Sequence, residues 1–222
     1  MTFSIAARQD GRFGMAVSSS SPAVAARCLH LRPGVGAAAS QNITDPRLGG
    51  RILDRLAVHG DAPRALREVG GDATDLAYRQ LSAVGPTGPT AWFSGEHTLG
   101  THGAAVGAHS VAAGNLLSST EIPAVMVAAF EAATGELEER LLTAMQAAVA
   151  AGGEAGPVHS AGLAVVAADV EWPVTDLRVD WAEDPIDRLA EALEIWLPQR
   201  DDYVRRGLQP SAAPSYGVPG DL

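Results

Sequence analysis

Blocks of short strand-like segments alternate with pairs of helical segments along this chain of 222 residues. The first block opens with a hairpin, because apolar runs at 3–7 and 13–17 flank Asp10-Gly11, a strong signal for a two-residue turn. A third strand is expected over 35–40, where small apolar residues follow a Pro-Gly pair. The pattern therefore predicts a β-sheet that the chain enters at its first residues.

Helical spacing of apolar residues dominates the next block, between Leu48 and Val69. The spacing is interrupted at 60–63, where Asp61 is able to cap a second helix, so two short helices are expected. The rest of the chain continues the alternation. The patterns predict strands at 80–84, 90–93 and 104–110, a helix from 118 to about 134, a helix from 137 to the glycines at 152–153, strands at 160–168 and 174–179, and a closing helix from 184–185.

This order of elements predicts an α+β fold with sheets inside and helices outside, a four-layer αββα sandwich. Residues 1–207 are expected to form a single domain. Residues 208–222 are rich in proline and glycine, and we expect them to be an exposed tail without regular structure.

The charged residues exclude several classes of function. The net charge is −10, and all sixteen basic residues are arginine. A chain of this charge lacks the attraction that drives binding to nucleic acids and anionic membranes, so neither partner is expected. Without lysine the chain cannot use Schiff-base chemistry, a P-loop lysine or a lysine-activated nucleophile. A small-molecule substrate is the default that remains.

The sequence carries only weak signals for targeting, for thiol chemistry and for a metal site. Arg8 and Asp10 interrupt the first ten residues, and no uninterrupted run of 18 apolar residues follows, so a cytoplasmic protein is expected. Cys28 is the only cysteine, and we expect it to be a small buried thiol. The six histidines lack paired metal-ligand spacing, so the sequence predicts no metal and no cofactor.

The second residue carries the most specific chemistry. Thr2 is small enough for routine removal of Met1, which would leave a free α-amine on a residue that also bears a hydroxyl. An α-amine has a pKa of about 7.7, so one residue could supply both nucleophile and base. Phe3 and Ile5, entering a sheet directly, would hold the terminus rigid. The alternative is that Thr2 is simply the first surface residue of a terminal strand.

Three further groups of polar residues are candidates for the same site. Ser18 and Ser20 would share a face near the start of the first strand, although a polar strand end before a turn explains them equally well. Asn115, next to Gly114 and before a helix, could help to hold an oxyanion, or could belong to an ordinary turn. Asp176 and Asp180 alternate with Arg178 along a strand and share its face, so they could form a structural ion pair or, with Arg178, clamp a substrate carboxylate.

Seven short blocks then occur in a characteristic order. They are Met1-Thr2-Phe3-Ser4-Ile5, 14–19, 34–41, Tyr78-Arg79-Gln80, 114–117, Ser160-Ala161, and 176–180 with 184–186. Together they resemble the bacterial and archaeal family known as domain of unknown function 1028. The resemblance extends from Thr2 to about Leu197.

That family is similar to the proteasome-like N-terminal-nucleophile hydrolases, so the resemblance implies the αββα sandwich and Thr2 as the nucleophile. Proteasome-type enzymes tune their threonine with a lysine. Since this chain has none, Arg79, Arg178 or a network of serines would have to serve instead.

The sequence thus predicts an amide hydrolase that acts on a small nitrogen-containing metabolite and assembles as a homo-oligomer. Thr2, Ser18 and Asn115 are the expected catalytic residues. The residues expected to orient the amine or the substrate are Ser20, Ser40, Gln41, Arg79, Ser160, Asp176 and Arg178. The competing interpretation, favoured by the missing lysine and by the apolar helices, is a non-catalytic ligand-binding or assembly protein on the same sandwich.

Overall fold

A computed structural model describes residues 2–218, and within them ten β-strands and seven α-helices form two antiparallel sheets with helices outside. The strands are β1 (Thr2–Gln9), β2 (Arg12–Ser19), β3 (Leu29–Arg32), β4 (Gly36–Asn42), β5 (Arg79–Val84), β6 (Ala91–Ser94), β7 (Gly103–Val106), β8 (Ser110–Asn115), β9 (Ser160–Val166) and β10 (Thr175–Val179). The helices are α1 (Ala25–Cys28), α2 (Pro46–His59), α3 (Ala62–Asp72), α4 (Ile122–Ala132), α5 (Leu137–Ala150), α6 (Pro185–Trp196) and α7 (Arg200–Leu208).

The layers follow from which side chains each face buries. The first sheet has the order β10-β9-β2-β1-β8-β7 and the second has the order β3-β4-β5-β6. Apolar side chains of both sheets meet between them, while α4, α5 and α6 cover the outer face of the first sheet and α2 and α3 cover that of the second. The predicted α+β class and four-layer αββα sandwich are therefore confirmed.

The α2–α3 pair forms for the reasons that the sequence indicates. The Asp45 and Asp61 side chains cap the two helices by accepting hydrogen bonds from the backbone N–H groups of Arg47 and Arg64. Gly60 ends α2 in the left-handed conformation that glycine adopts without strain, with φ of 71°. The predicted interruption at 60–63 is correct.

Two parts of the sequence prediction are wrong. The strand expected at 104–110 is instead two strands, β7 and β8, joined by a turn at 107–109, so Gly114 and Asn115 end a central strand rather than form a turn before a helix. Val111, Ala112 and Ala113 are buried there, because both faces of this strand are covered. The pattern also gave no signal for the short elements α1 and β3, or for α7.

The carboxyl-terminal segment folds back on α7. The Arg206 guanidinium donates to the carbonyl oxygens of Pro214 and Ser215 at 3.2 and 3.3 Å, and it lies 4.0 Å from the ring centroid of Tyr216. These residues are exposed except for Arg206, which is half-buried. None of the helices within residues 2–218 has both the length and the apolar character needed to cross a bilayer.

Helix α2 approaches β3 closely at a glycine. A Cβ atom at Gly49 would lie 2.0 Å from Cδ2 of His30, whereas at the neighbouring Gly50 it would meet nothing within 4 Å. We therefore expect Gly49→Ala to reduce the free energy of unfolding by about 1–3 kcal/mol through overpacking. Gly50→Ala is the matched control, and should stabilise by up to about 1 kcal/mol because alanine favours the helix. Equal stability of the two variants in urea unfolding would show that this contact is not tight.

Candidate active site

Thr2 begins β1, a central strand of the first sheet, and its side chain faces the second sheet. Successive residues of a strand alternate between faces, and Ser4 and Ala6 of the same strand both contact the second sheet. Thr2 is only 5% exposed. It is therefore a buried residue at the end of the space between the sheets, not a surface residue.

Three polar residues of neighbouring strands lie level with Thr2. Thr2 pairs with Asn115 of β8, and the β1–β2 register, continued one residue beyond Phe3 and Ser18, brings Ser19 opposite Thr2 on the other side. Ser19 in turn pairs with Ser160 of β9. Cross-strand partners share a face, so Asn115, Thr2, Ser19 and Ser160 form one row, which we call the polar row.

Amide side chains from the second sheet face the polar row. Gln80 Oε1 accepts hydrogen bonds from Gln41 Nε2 at 2.7 Å and from Asn115 Nδ2 at 3.1 Å. Gln41 Oε1 accepts from the Ser4 hydroxyl at 2.7 Å. The three amides are fully buried, and their bonds connect the two sheets directly. The network holds Asn115 in one orientation beside Thr2.

Within this network one acceptor is left over. Asn115 Oδ1 is buried and has no hydrogen-bond partner among the described residues. Leaving a buried amide oxygen unpaired costs about 1–3 kcal/mol. Leu116, which follows, has a φ of 52°, a conformation that costs energy for a residue with a side chain. The Asn115 side-chain oxygen and the Leu116 backbone therefore both lie at the end of β8, next to the first residue of β1.

A positively charged group reaches the polar row through two hydroxyls. Ser19 Oγ lies 2.8 Å from Ser21 Oγ, and a guanidinium nitrogen of Arg27 donates to Ser21 Oγ at 2.7 Å. The Ser160 hydroxyl donates to the Ser21 carbonyl oxygen at 2.6 Å and so fixes the same turn, residues 18–21, which we call the serine turn. Arg27 thus polarises a chain of hydroxyls that ends beside Thr2.

A carboxylate holds the serine turn from the other side. Both oxygens of Glu154 accept from the backbone N–H of Ser20, at 3.2 and 3.3 Å, and Glu154 is only 4% exposed. Burial raises the pKa of Glu154 to about 7, although the charge of the amino terminus and hydrogen bonding from Ser20 act in the opposite direction. This carboxyl group can therefore change its protonation state near neutral pH.

The structure does not bring three of the predicted site residues to Thr2. Ser18 pairs with Phe3 and so faces the helices, where its hydroxyl donates to the Ser160 carbonyl oxygen at 2.9 Å. Ser40 and Arg79 lie on the outer face of the second sheet, and donate to the carbonyl oxygens of Asp45 and Ile43. The period-two alternation of a strand turns Ser18 away from the polar row, and turns Ser40 and Arg79 away from the face that carries Gln41 and Gln80.

Asp176 and Arg178 are also distant from Thr2. They lie on the edge strand β10, three strands from β1, which corresponds to about 14 Å at the usual strand spacing. The Arg178 guanidinium donates twice to the Asp176 carboxylate, both bonds at 2.9 Å, and this pairing raises the pKa of Arg178. Asp176 and Arg178 thus form an ion pair with each other at the protein surface.

Four residues of the site, Ser19, Arg27, Gln80 and Glu154, were not candidates in the sequence analysis. For Ser19 a signal was present, because a two-residue turn at Asp10-Gly11 fixes the hairpin register and sets Ser19, not Ser18, opposite Thr2. The sequence offers no comparable signal for Arg27 or Glu154. Each reaches the serine turn only through the tertiary fold.

A cavity of about 720 Å³ lies at the opposite end of the sheets, around the β1–β2 turn. Arg8 and Arg140 line it, but both are already paired with backbone carbonyl groups, Arg8 with Gly85 and Gly88. Its volume alone does not make it a site, and the unpaired acceptor and the titratable carboxyl lie at the Thr2 end. No cluster of three side chains suited to a metal ion occurs among residues 2–218.

Comparisons with known proteins find several similar solved structures. A crystal structure of a DUF1028 protein from Silicibacter pomeroyi matches with a TM-score of 0.83 and 29% identity, over 92% of this chain and 94% of that one. HslV from Trypanosoma brucei matches with a TM-score of 0.47 and 14% identity, over 74% of this chain and 99% of its own.

A complex of BPH from Thiobacillus denitrificans with epoxomicin gives a TM-score of 0.43 and 16% identity, over 76% of this chain and 100% of its own. None of the curated proteins matches this sequence significantly. The model of the family of unknown function DUF1028 matches residues 2–189. This chain therefore belongs to the DUF1028 family.

Proposed function

We propose that this protein is an N-terminal-nucleophile hydrolase, in which Thr2 attacks an amide bond once removal of Met1 has freed its α-amine. The observation that carries the proposal is the position of Thr2 at the start of a central strand, within the buried polar row. A nucleophile that carries its own base must be held rigidly, and strand pairing on both sides of β1 provides that support.

The proposed reaction has two stages. The α-amine of Thr2 accepts the proton of the Thr2 hydroxyl as Oγ1 bonds to the substrate carbonyl carbon, and that proton then passes to the leaving nitrogen as the C–N bond breaks. Water, deprotonated by the same amine, hydrolyses the resulting ester and releases the acid. The single residue acts as nucleophile and general base in both stages.

Asn115 is assigned the role of orienting the α-amine. Its Nδ2 already donates to Gln80, whereas its Oδ1 is an unpaired buried acceptor next to Thr2. An amine N–H would satisfy this oxygen. These contacts support an orienting role for Asn115. The role expected from the sequence, holding an oxyanion, would require the Nδ2 group that already donates to Gln80.

Arg27 is assigned the electrostatic role that a lysine would otherwise fill. Its charge reaches Ser19 through Ser21 and lowers the energy of a negatively charged Thr2 oxygen. Arginine remains protonated at all physiological pH values, so Arg27 cannot accept the proton itself. The proton must therefore go to the α-amine.

The proposed substrate is a small, uncharged amide in the cytoplasm, because hydroxyl and amide groups rather than ion pairs dominate the polar row and the amides that face it. Assembly into a homo-oligomer is also proposed, and exposed apolar side chains such as Val58, Trp181 and Ile195 support it. Sedimentation analysis tests the assembly, and a monomer at all concentrations would contradict it.

A mass-spectrometric experiment tests the proposed nucleophile. The purified protein should lack the mass of Met1, and a small β-lactone should acylate it once, with the adduct on Thr2. The Thr2→Val variant should show no adduct, while Thr143→Val, which makes the same substitution at an exposed position of α5, should be labelled like the wild type. Retention of Met1, or an adduct that persists in Thr2→Val, would favour a non-catalytic binding or assembly protein.

A further inference from the structure

The segment 153–155 closes the path ahead of β1. Glu154 forms an antiparallel bridge with Leu117, just beyond the end of β8, and Ala155 N–H donates to the Leu116 carbonyl oxygen at 2.9 Å. Ser118 N–H donates to the Gly153 carbonyl oxygen at 3.0 Å. These bonds lie on the side of β8 that faces β1, because the N–H of Leu117 points to the opposite side, toward Thr101.

The strand register fixes how far ahead of Thr2 this segment lies. Thr2 pairs with Asn115, the last residue of β8, so Leu117 and its bridge partner Glu154 come two residues past the end of that pairing. The β1–β2 register, continued beyond Phe3 and Ser18, sets Ser20 opposite the position immediately ahead of Thr2. Since the Glu154 carboxylate is bonded to Ser20 N–H, it lies directly before the amino end of Thr2.

Among residues 2–218 this buried carboxylate has no cationic partner. Within that range it accepts hydrogen bonds from the Ser20 backbone N–H, and a buried carboxylate without a cation is costly. The amino-terminal charge that lowers its pKa belongs to Met1 in the unprocessed chain, directly before Thr2. Arg27 reaches the serine turn at Ser21 and contacts neither Glu154 oxygen, and the nearby His159 meets the turn through its backbone N–H to the Ser19 carbonyl oxygen.

From this geometry we infer that Glu154 is a positioning residue that binds the α-ammonium group of Thr2 in the processed chain. The inference rests on the proposed function, because it requires a free amine at Thr2. Binding there fixes the amine between Glu154 and Asn115 and leaves the Thr2 hydroxyl directed toward the space between the sheets. It also sets the pH at which the amine becomes a base, because a neighbouring carboxylate stabilises the charged ammonium form.

The test measures the pKa of the Thr2 α-amine by NMR, in full-length protein released with Thr2 at its amino terminus from a ubiquitin fusion. In Glu154→Gln the pKa of the amine should fall by about 1 or more, because the negative partner is lost. The acidic limb of kcat/KM should move to lower pH by the same amount. Glu96→Gln, at an exposed glutamate, is the matched control and should leave both quantities unchanged.

A second measurement covers the case in which Glu154→Gln does not fold. Acetylation of the Thr2 amine in the wild-type protein should raise the pKa of the Glu154 carboxyl group, because its cation is removed. An unchanged amine pKa in Glu154→Gln, or an unchanged Glu154 pKa after acetylation, overturns the inference. If both shifts occur but Thr2→Val keeps full activity, the proposed function fails and the placement of the amine stands.

Discussion

Thr2→Val should lower kcat/KM for amide hydrolysis at least about 10³-fold, because valine keeps the shape of threonine but removes the proposed nucleophilic oxygen. Valine at this position also leaves the strand pairing of β1 and the buried packing intact. Thr2→Ser, which restores a hydroxyl, should retain activity within about tenfold of the wild type, since it differs by one methyl group. Steady-state kinetics on a panel of small amides measures both.

Two controls make this result interpretable. Thr143→Val makes the same substitution at an exposed threonine of α5, whose hydroxyl donates to the Glu139 carbonyl oxygen, and leaves the residues around Thr2 unchanged. Thermal unfolding of each variant separates a loss of activity from a loss of fold. Wild-type rates in folded Thr2→Val protein would exclude Thr2 as the nucleophile.

The second large effect concerns stability. Glu138 is completely buried, and its carboxylate accepts from Thr175 Oγ1 at 2.8 Å and lies 3.1 Å from Arg200 Nη1 and 3.7 Å from Arg12 Nη1. Glu138→Ala should reduce the free energy of unfolding by about 3–5 kcal/mol, because Arg200 and the Thr175 hydroxyl lose a buried acceptor and Arg12 loses a charged partner. Urea unfolding measures the change.

The control for this prediction is an exposed ion pair. Glu191→Ala removes the same kind of side chain from the pair with Arg188, whose members are 61% and 64% exposed, and should cost less than about 1 kcal/mol. A similar loss in both variants would show that burial of Glu138 contributes nothing. Because Arg200 begins α7, beyond the residues that the family model matches, the contact also attaches this extension to the sandwich.

Much of the fold could be predicted because its strongest patterns are local. A two-residue turn signal and flanking apolar runs specify the first hairpin, and the capping residue Asp61 specifies the start of α3. The β7–β8 turn could not be located, because Ala104, Ala105, Ala112 and Ala113 carry too little hydrophobic contrast to mark where one strand ends. Helix α7 has no buried residue and so leaves no apolar stripe in the sequence.

The residues of the candidate site also divide into those that local patterns predict and those that only the tertiary fold brings together. The position of Thr2 follows from the chain order, and Ser19 follows from the hairpin register. Glu154 enters the site because the loop after α5 returns along β8, and no local pattern encodes such a return. The amide pair Gln41 and Gln80 depends on how one sheet packs against another, which alternation within a strand does not specify.

The position of segment 153–155 ahead of β1 also affects how the protein should be prepared. Segment 153–155 blocks the straight continuation of β1. A peptide fused before Thr2 must therefore leave the plane of the sheet within about two residues, given a rise of about 3.4 Å per residue. An affinity tag at that end would block the free amine that the proposed mechanism requires. Residues 214–218 are exposed, and α7 is anchored near Arg12 at the far end of the first hairpin. We therefore recommend a purification tag at the carboxyl end of this protein.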